Sequence, residues 1–512
     1  GITTTYEAVK SKLSQPIPLG YSNVGVVQEV SPEVSGFKVG DRVVSNGIHA
    51  DIVTVKNNLC ARIPDNVEDD CAVFTVVGSI ALQGIRLAKP TLGESFVVAG
   101  AGLIGLLTIQ LLRANGCRVL AIDPDEEKLK LAADFGAEIF NPLSDSSLLY
   151  RANSFSKDHG VDGVIITAST KSNDLIKQAA QICRKKGRII LVGVVGLDLD
   201  RSDFYEKEIS FQVSCSYGPG RYDSLYEDQG IDYPIGYVRW TEQRNFEAFL
   251  DLLSRDVLDV RSLISSRYAF TEAAKAYQEL KGNTSTLGII LEYNSQIKDR
   301  LSRSVALNTN ATITGETPVL GFIGGGNYAS RILIPAFRST GASLHSLVTA
   351  NGINSVIHGK KEGFLHASTD VESIMNNPEI DTLVIATRHH LNPKYVVDGL
   401  KANKNIWVEK PLALDFENLS LIEETYNTFN KKTDSSQGLQ LMVGFNRRYS
   451  PQVLQMQSLL SNVEAPKSIV MTINAGFIPQ DHWTQDSKEG GGRIIGECCH
   501  FIDLMRFLIG KK

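Results

Sequence analysis

At 512 residues the chain is several times the ~100–200 residues of one domain, so about three or four domains with ample core are expected. A composition of 43% hydrophobic and 21% charged residues with net charge -5 belongs to a globular protein and gives no pull towards nucleic acid or an anionic membrane. No apolar run reaches the ~18 residues of a membrane span, and seven cysteines, odd in number and without a CxxC pair, fit reduced cytoplasmic thiols better than disulfides or structural zinc.

Along the chain, the first segment with a clear period is Glu94 to Ala99, an apolar run that predicts a strand buried on both faces. The turn Gly100-Ala101-Gly102-Leu103-Ile104-Gly105 follows it, then helical spacing over Leu103 to Ala114 and a second strand over Arg118 to Asp123. Such a turn brings a dinucleotide pyrophosphate to the free N–H groups of a helix N-terminus. Asp123 stands 18 residues after Gly105, the distance at which an acid meets the ribose hydroxyls of NAD and repels the 2′-phosphate of NADP, so NAD is expected here. Glu126 to Phe135, Val161 to Ala168, Asp174 to Cys183 and Gly187 to Val194 continue the alternation of a doubly wound sheet.

Upstream, Gly20-Tyr21-Ser22-Asn23-Val24-Gly25-Val26-Val27, Phe37-Lys38-Val39-Gly40-Asp41-Arg42-Val43 and Ala50-Asp51-Ile52-Val53-Thr54-Val55 resemble the GroES-like domain of the medium-chain dehydrogenase/reductase family. The resemblance implies a partial GroES-like domain over 1–75, a Rossmann domain over 76–250 and a return to the first domain over 251–294. Zinc-dependent members carry Gly-His-Glu where Gly20-Tyr21-Ser22 stands, and the cysteine-rich zinc lobe is missing, so no zinc is expected. Hydride transfer then needs a hydroxyl or imidazole donor, for which Tyr21 and His49 are the nearest polar residues in sequence. The family places more chain before Gly20, so the first barrel is expected to be cut, with exposed strand edges.

From Ser295 the sequence turns polar and aperiodic, and 295–317 reads as a linker. Val319 to Gly324 then predicts a strand entering a second turn, Gly324-Gly325-Gly326-Asn327-Tyr328-Ala329, with a further strand over Ser343 to Thr349. Thr349-Ala350-Asn351 ends that strand without an acid, which leaves NAD or NADP open at this site. Asp381 to Thr387 and Asn405 to Val408 supply two more strands. Together they predict a second Rossmann-type domain over 318–443.

Glu409-Lys410-Pro411, Thr387-Arg388-His389-His390 and Gly444-Phe445-Asn446-Arg447-Arg448-Tyr449 make this half resemble the glucose-fructose oxidoreductase and inositol dehydrogenase family. The resemblance implies cofactor contacts from Gly324, Gly326, Asn327, Tyr328, Thr387, Glu409 and Lys410, beside those of Gly100, Gly102, Gly105 and Asp123 in the first half. It assigns proton handling to Lys410 and to His500; a lysine does this work when burial and a nearby positive charge lower its pKa from ~10.4. The family's aspartate, four residues before the histidine, is Gly496 here. Glu497 is a poor substitute, because one helical step turns a side chain by ~100°. Cys498 and Cys499 read as inert thiols, not metal ligands. Residues 444–512 are expected to form part of an open-sheet α+β substrate domain, with Ser468 to Ala475 as a strand and a shortened edge that favours a homo-oligomer.

The fold class expected is therefore α/β, two Rossmann-type parallel sheets in tandem with partial β and α+β domains at the ends. The function expected is a two-headed NAD(P)-dependent oxidoreductase acting on a small sugar-like substrate, in polysaccharide or glycoconjugate synthesis, with neither nucleic acid nor membrane as partner. Two alternatives stand beside it: chemistry at the second head alone, or a non-catalytic nucleotide sensor. Arg447-Arg448 is too short a basic run to bind nucleic acid.

Overall fold

The computed structural model describes residues 18–145, 147–283, 285–294, 302–308, 317–430, 438–480 and 482–510, in two compact units, 1–300 and 301–512. In the first unit, β1 (Asn23–Val26), β2 (Arg42–Ser45) and β3 (Cys60–Arg62) form an antiparallel sheet. A parallel six-stranded sheet follows, built from β4 (Ser95–Ala99), β5 (Arg118–Ile122), β6 (Glu138–Phe140), β7 (Val161–Ile166), β8 (Cys183–Leu191) and β9 (Ser210–Val213), in the order β6-β5-β4-β7-β8-β9. The chain then adds a parallel pair, β10 (Ile264–Ala269) and β11 (Gly288–Glu292).

β4 is central and wholly buried. Its side chains alternate between two cores, Phe96 and Val98 on one face of the sheet and Val97 and Ala99 on the other, as the two-residue period of a strand requires. The strand order reverses beside β4, and in open α/β sheets ligands bind beyond the carboxyl ends at that reversal. Gly100 is the first residue past that end.

The second unit repeats the plan. β12 (Ser304–Ala306), β13 (Val319–Ile323), β14 (Ser343–Val348), β15 (His366–Ser368), β16 (Thr382–Ile385), β17 (Asn405–Val408) and β18 (Leu441–Val443) lie in the order β12-β15-β14-β13-β16-β17-β18. β13 is again fully buried, with Val319 and Ile323 in one core and Leu320 and Phe322 in the other. The order reverses at β13, which runs directly into Gly324.

Two expectations change. Ser304–Ala306, inside the stretch read as linker, is a strand antiparallel to β15; its polar composition hid it, because an edge strand needs only one hydrogen-bonded neighbour and little apolar surface. Ser468 to Ala475 forms no strand. A β-strand exists only as part of a ladder, and residues 444–480 and 482–510 supply no other strand to pair with it. They hold instead the helices Pro451–Ser461 and Cys499–Ile509, joined by a small core of Val453, Leu504 and Leu508.

Candidate functional site

Each glycine of the first turn has its own physical reason. Gly100 lies at φ 104° and packs on the Ala168 backbone, where an added Cβ would come within 2.7 Å of the amide nitrogen. A Cβ on Gly105 would meet the Gly100 carbonyl oxygen at 1.9 Å, so the helix Leu103–Ala114 approaches the strand this closely only without a side chain. Gly102 faces open space, the room a pyrophosphate needs. No side chain caps this helix, so its first N–H groups remain available to an anion.

Asp123, 8% exposed, spans the turn from the end of β5. Its Oδ2 accepts from the Ala101 amide at 2.7 Å and its Oδ1 from the Asp125 amide at 2.9 Å. The carboxylate thus holds the glycine turn in shape, and each oxygen keeps a second acceptor site for a ribose hydroxyl.

In the first unit the described polar residues near Gly20, and the one cluster of metal-type donors, are engaged with protein partners or exposed. Tyr21 is 52% exposed, and the Ser22 hydroxyl donates to the Val73 carbonyl at 2.5 Å. His49 packs against Gly20, bonds through Nδ1 to the Tyr277 hydroxyl at 2.9 Å, and has its pKa lowered by burial. Among the described residues one group of three metal-type donors comes together, Glu68, Asp70 and Cys71. Glu68 is paired with Arg261 at 2.8 Å and Asp70 with Arg267 at 2.5 Å, while burial, helped by Asp70, raises the Cys71 thiol. A ligand set needs a thiolate and free carboxylates.

In the second unit Gly324 lies at φ 102°, where a Cβ would strike the Ala386 carbonyl oxygen at 2.2 Å, and Gly326 faces open space. Asn327 is exposed at the head of the following helical segment, which passes through a π-turn at Ala329–Leu333. Thr349, at the position of the first unit's acid, turns its hydroxyl onto the Asn351 carbonyl at 2.5 Å.

Lys410 follows β17, and its Nζ donates to the Gly496 carbonyl at 2.6 Å. One helical turn beyond, the His500 Nδ1 is buried without a hydrogen-bond partner, and the ring packs edge-on against Phe445. Burial, then the charges of Lys410 and Arg447, push the His500 pKa down to about 4, so the imidazole is neutral at pH 7. Burial raises Glu409 to about 7 against the opposing pull of Lys410. Its Oε1 has no partner, and Gly444 leaves it room. Tyr328 accepts from the Asn446 side chain at 2.7 Å and has its pKa raised by burial and then by Glu409. These contacts bring Tyr328, Glu409, Lys410, Asn446 and His500 together beyond the carboxyl ends of β13, β17 and β18.

Gly496 has no room for the family's aspartate, since a Cβ would come within 2.7 Å of the Gly490 oxygen and 3.0 Å of the His389 ring. Glu497 is engaged elsewhere, accepting from Arg493 Nε at 2.9 Å.

Two residues escaped the sequence reading. Asn392, fully buried, donates to the carbonyls of Glu409 (3.1 Å) and Pro411 (2.9 Å) and accepts from Thr387 at 2.9 Å. It ties the strand end that carries Lys410 to the Thr387 loop. His389, 7% exposed, bonds through Nδ1 to the Gly490 oxygen at 2.8 Å. His389 lay inside a quoted motif, and the Asn-Pro pair at a helix start was a visible turn signal; their carbonyl partners, 17 to 101 residues away, were not.

Residues 2–104 match the alcohol dehydrogenase GroES-like domain, residues 104–228 the zinc-binding dehydrogenase family, and residues 319–438 the oxidoreductase family with an NAD-binding Rossmann fold. Among curated relatives, the 2-dehydro-3-deoxy-L-galactonate 5-dehydrogenase of Pseudoalteromonas atlantica is 21% identical over 317 residues, 56% of this chain and 85% of that protein. The D-arabitol-phosphate dehydrogenase of Enterococcus avium is 22% identical, covering 57% and 86%. The quinone oxidoreductase of Rattus norvegicus is 28% identical, covering 54% and 80%. Among solved structures, the 2R,3R-butanediol dehydrogenase of Bacillus subtilis superimposes with a TM-score of 0.46 at 22% identity, covering 55% of this chain and 82% of that one.

Proposed function

From a chain that fuses a medium-chain dehydrogenase/reductase module to a glucose-fructose oxidoreductase-type module, and is an NAD(P)-dependent oxidoreductase, we propose a two-headed enzyme that acts on a polyhydroxylated substrate. The relatives named for a deoxygalactonate and an arabitol phosphate support that substrate class. Synthesis of a polysaccharide or glycoconjugate in a reducing cytoplasm is the setting we infer, consistent with free cysteines at Cys60, Cys71, Cys117, Cys183, Cys215, Cys498 and Cys499. No helix among the described residues is long and apolar enough to cross a membrane.

The observation that carries the reading is the Lys410–His500 arrangement beside the open Gly326 turn. Gly100, Gly102, Gly105 and Asp123 would hold NAD in the first unit. Gly324, Gly326, Asn327, Tyr328, Thr387, Glu409 and Lys410 would hold NAD or NADP in the second, where neutral Thr349 does not repel a 2′-phosphate. Bound nicotinamide supplies the hydride acceptor or donor. The protein's part is the proton: Lys410 takes it from the substrate hydroxyl as the C–H bond breaks and returns it in reduction, while neutral His500 orients that hydroxyl. Neither Gly496 nor Glu497 takes the aspartate's place. We infer that the first unit works without zinc, because among the described residues the one group of metal-type donors has its carboxylates paired with Arg261 and Arg267.

A second reading confines chemistry to the second unit. The Tyr277 bond that occupies His49 and the exposure of Tyr21 favour it. Turnover assayed with NAD or NADP over a panel of sugars, sugar acids and polyols tests both: Lys410→Met is expected to lower kcat at the second unit ~10²–10⁴-fold, and turnover left unchanged by it would refute the assigned role. Sugars that shift the fluorescence of bound NADH distinguish an enzyme from a nucleotide sensor, which responds to cofactor alone.

A further inference from the structure

The helix Leu103–Ala114 has the glycine turn at its start and a second concavity at its far end. Twelve residues at 1.5 Å each put the two about 18 Å apart. The far cavity, of about 470 Å³, lies between Leu111 and Ala114 of this helix with Asn115 just past its end, the helix Thr75–Ala88, the segment around Trp240 and the helix Glu242–Ser254. No part of the cofactor site lines it.

Its lining carries three guanidinium groups, Arg86, Arg239 and Arg244, and two carboxylates, Glu247 and Asp251, the latter paired with Arg255 at 3.2 Å. The guanidinium carbon of Arg86 stands 3.5 Å from the Trp240 ring centroid and that of Arg239 stands 3.8 Å from it. At those distances each covers the ring, and two on one face would overlap, so they take opposite faces. Neither makes a hydrogen bond or ion pair among the described residues, and Arg86 Nε is buried without any acceptor. The Trp240 indole N–H likewise has no acceptor among them. Arg244, by contrast, is neutralised by Asp232 and bonded to the Val238 carbonyl at 2.6 Å. Glu247 makes no ion pair with Arg86 or Arg239, although the charges of Arg244 and then Arg239 oppose the upward push of burial on its pKa.

Cation–π contact recovers only part of what a half-buried guanidinium loses in leaving water. Guanidinium groups match oxyanions best, and phosphate above others because its oxygens accept forked N–H pairs. The cavity exceeds the size of a bare phosphate, and Glu247 and Asn115 add groups that bond hydroxyls. We propose that this cavity is a second ligand site, separate from both cofactor turns, for the phosphate monoester of a small hydroxylated molecule, held by Arg86, Arg239 and Trp240.

The test is calorimetric titration of the full chain with inorganic phosphate and with glycerol 3-phosphate, at fixed ionic strength and with NADH saturating, so that the glycine turns are occupied. Saturable binding is expected, weakened about tenfold or more in Arg239→Gln and in Arg86→Gln, the loss of one charge-assisted contact. Arg239 is exposed, so its variant keeps the fold and reads the proposal if Arg86→Gln does not fold. Unchanged NADH affinity in the same samples reports an intact first unit. Absence of saturable binding by either probe, or binding unaltered by Arg239→Gln, would overturn the proposal.

Discussion

At the scale of single residues, the second site rests on opposed perturbations. His500 titrates near 4 instead of 6.5, so the unfolded chain binds the proton first on acidification. The stability that the neutral ring contributes is therefore complete above pH 6.5 and is lost as pH falls through about 4. Glu409 has the opposite sign: its pKa rises from 4.5 to about 7, so its contribution is complete below pH 4.5 and lost as pH rises through about 7. NMR titration of His500 is expected to find a neutral imidazole at pH 5.5. Lys410→Met removes a positive neighbour and is expected to raise the His500 midpoint, while lowering kcat ~10²–10⁴-fold, the range for losing a positioned acid–base group. A His500 midpoint near 6.5 in the unaltered chain would contradict the geometry.

Glu242 gives a parallel test in the first unit. It is fully buried at the start of the helix Glu242–Ser254, and burial, then the charge of Glu227 and a hydrogen bond with it, raises it to about 8. Because the folded pKa exceeds the unfolded value of 4.5, its contribution to stability is present in acid and lost as pH rises through about 8. Glu242→Gln is expected to flatten the alkaline side of the first unit's stability profile. Denaturant midpoints at pH 7 and pH 9 that shift equally in both proteins would sink the idea.

At the scale of elements, the two glycine turns were legible because their causes are local. A buried β-run, a positive φ that only glycine meets easily and an uncapped helix all sit within a dozen residues. The structure separates the glycines by role. Gly102→Ala adds a Cβ into open space and is expected to weaken NADH at the first unit without lowering its thermal midpoint. Gly105→Ala puts a Cβ against a backbone carbonyl and is expected to cost ~1–3 kcal/mol of stability, as overpacking does. Equal effects of the two on midpoint and affinity would deny this division.

What was illegible depends on distant partners. Asn392 reads as an ordinary residue at a helix start, yet its amide donates to two carbonyls flanking Lys410. Asn392→Ala is expected to cost ~1–3 kcal/mol for each carbonyl left unpaired and to speed amide exchange in β17. Asn392→Asp should not rescue it, since a carboxylate has no N–H to donate. Ser304–Ala306 was missed because edge pairing leaves no apolar period, and Ser468–Ala475 was overread because alternation alone does not supply a neighbouring strand.

At the scale of the whole molecule, the chain repeats one device. In each unit a fully buried central strand runs to the point where strand order reverses and ends in a glycine at positive φ. Around that shared frame the units diverge. An acid closes the first turn and a threonine stands at the matching place in the second, and the Lys410 and His500 pair to which we assign the proton belongs to the second alone.

The central claim is that both units bind a nicotinamide dinucleotide. Calorimetric titration of the full chain with NADH, repeated on Gly102→Val and Gly326→Val, counts the sites and assigns them. The account predicts two sites, each abolished by the substitution in its own turn and untouched by the other. A single site that survives Gly102→Val and disappears in Gly326→Val would contradict it, and would reduce the first unit to a scaffold.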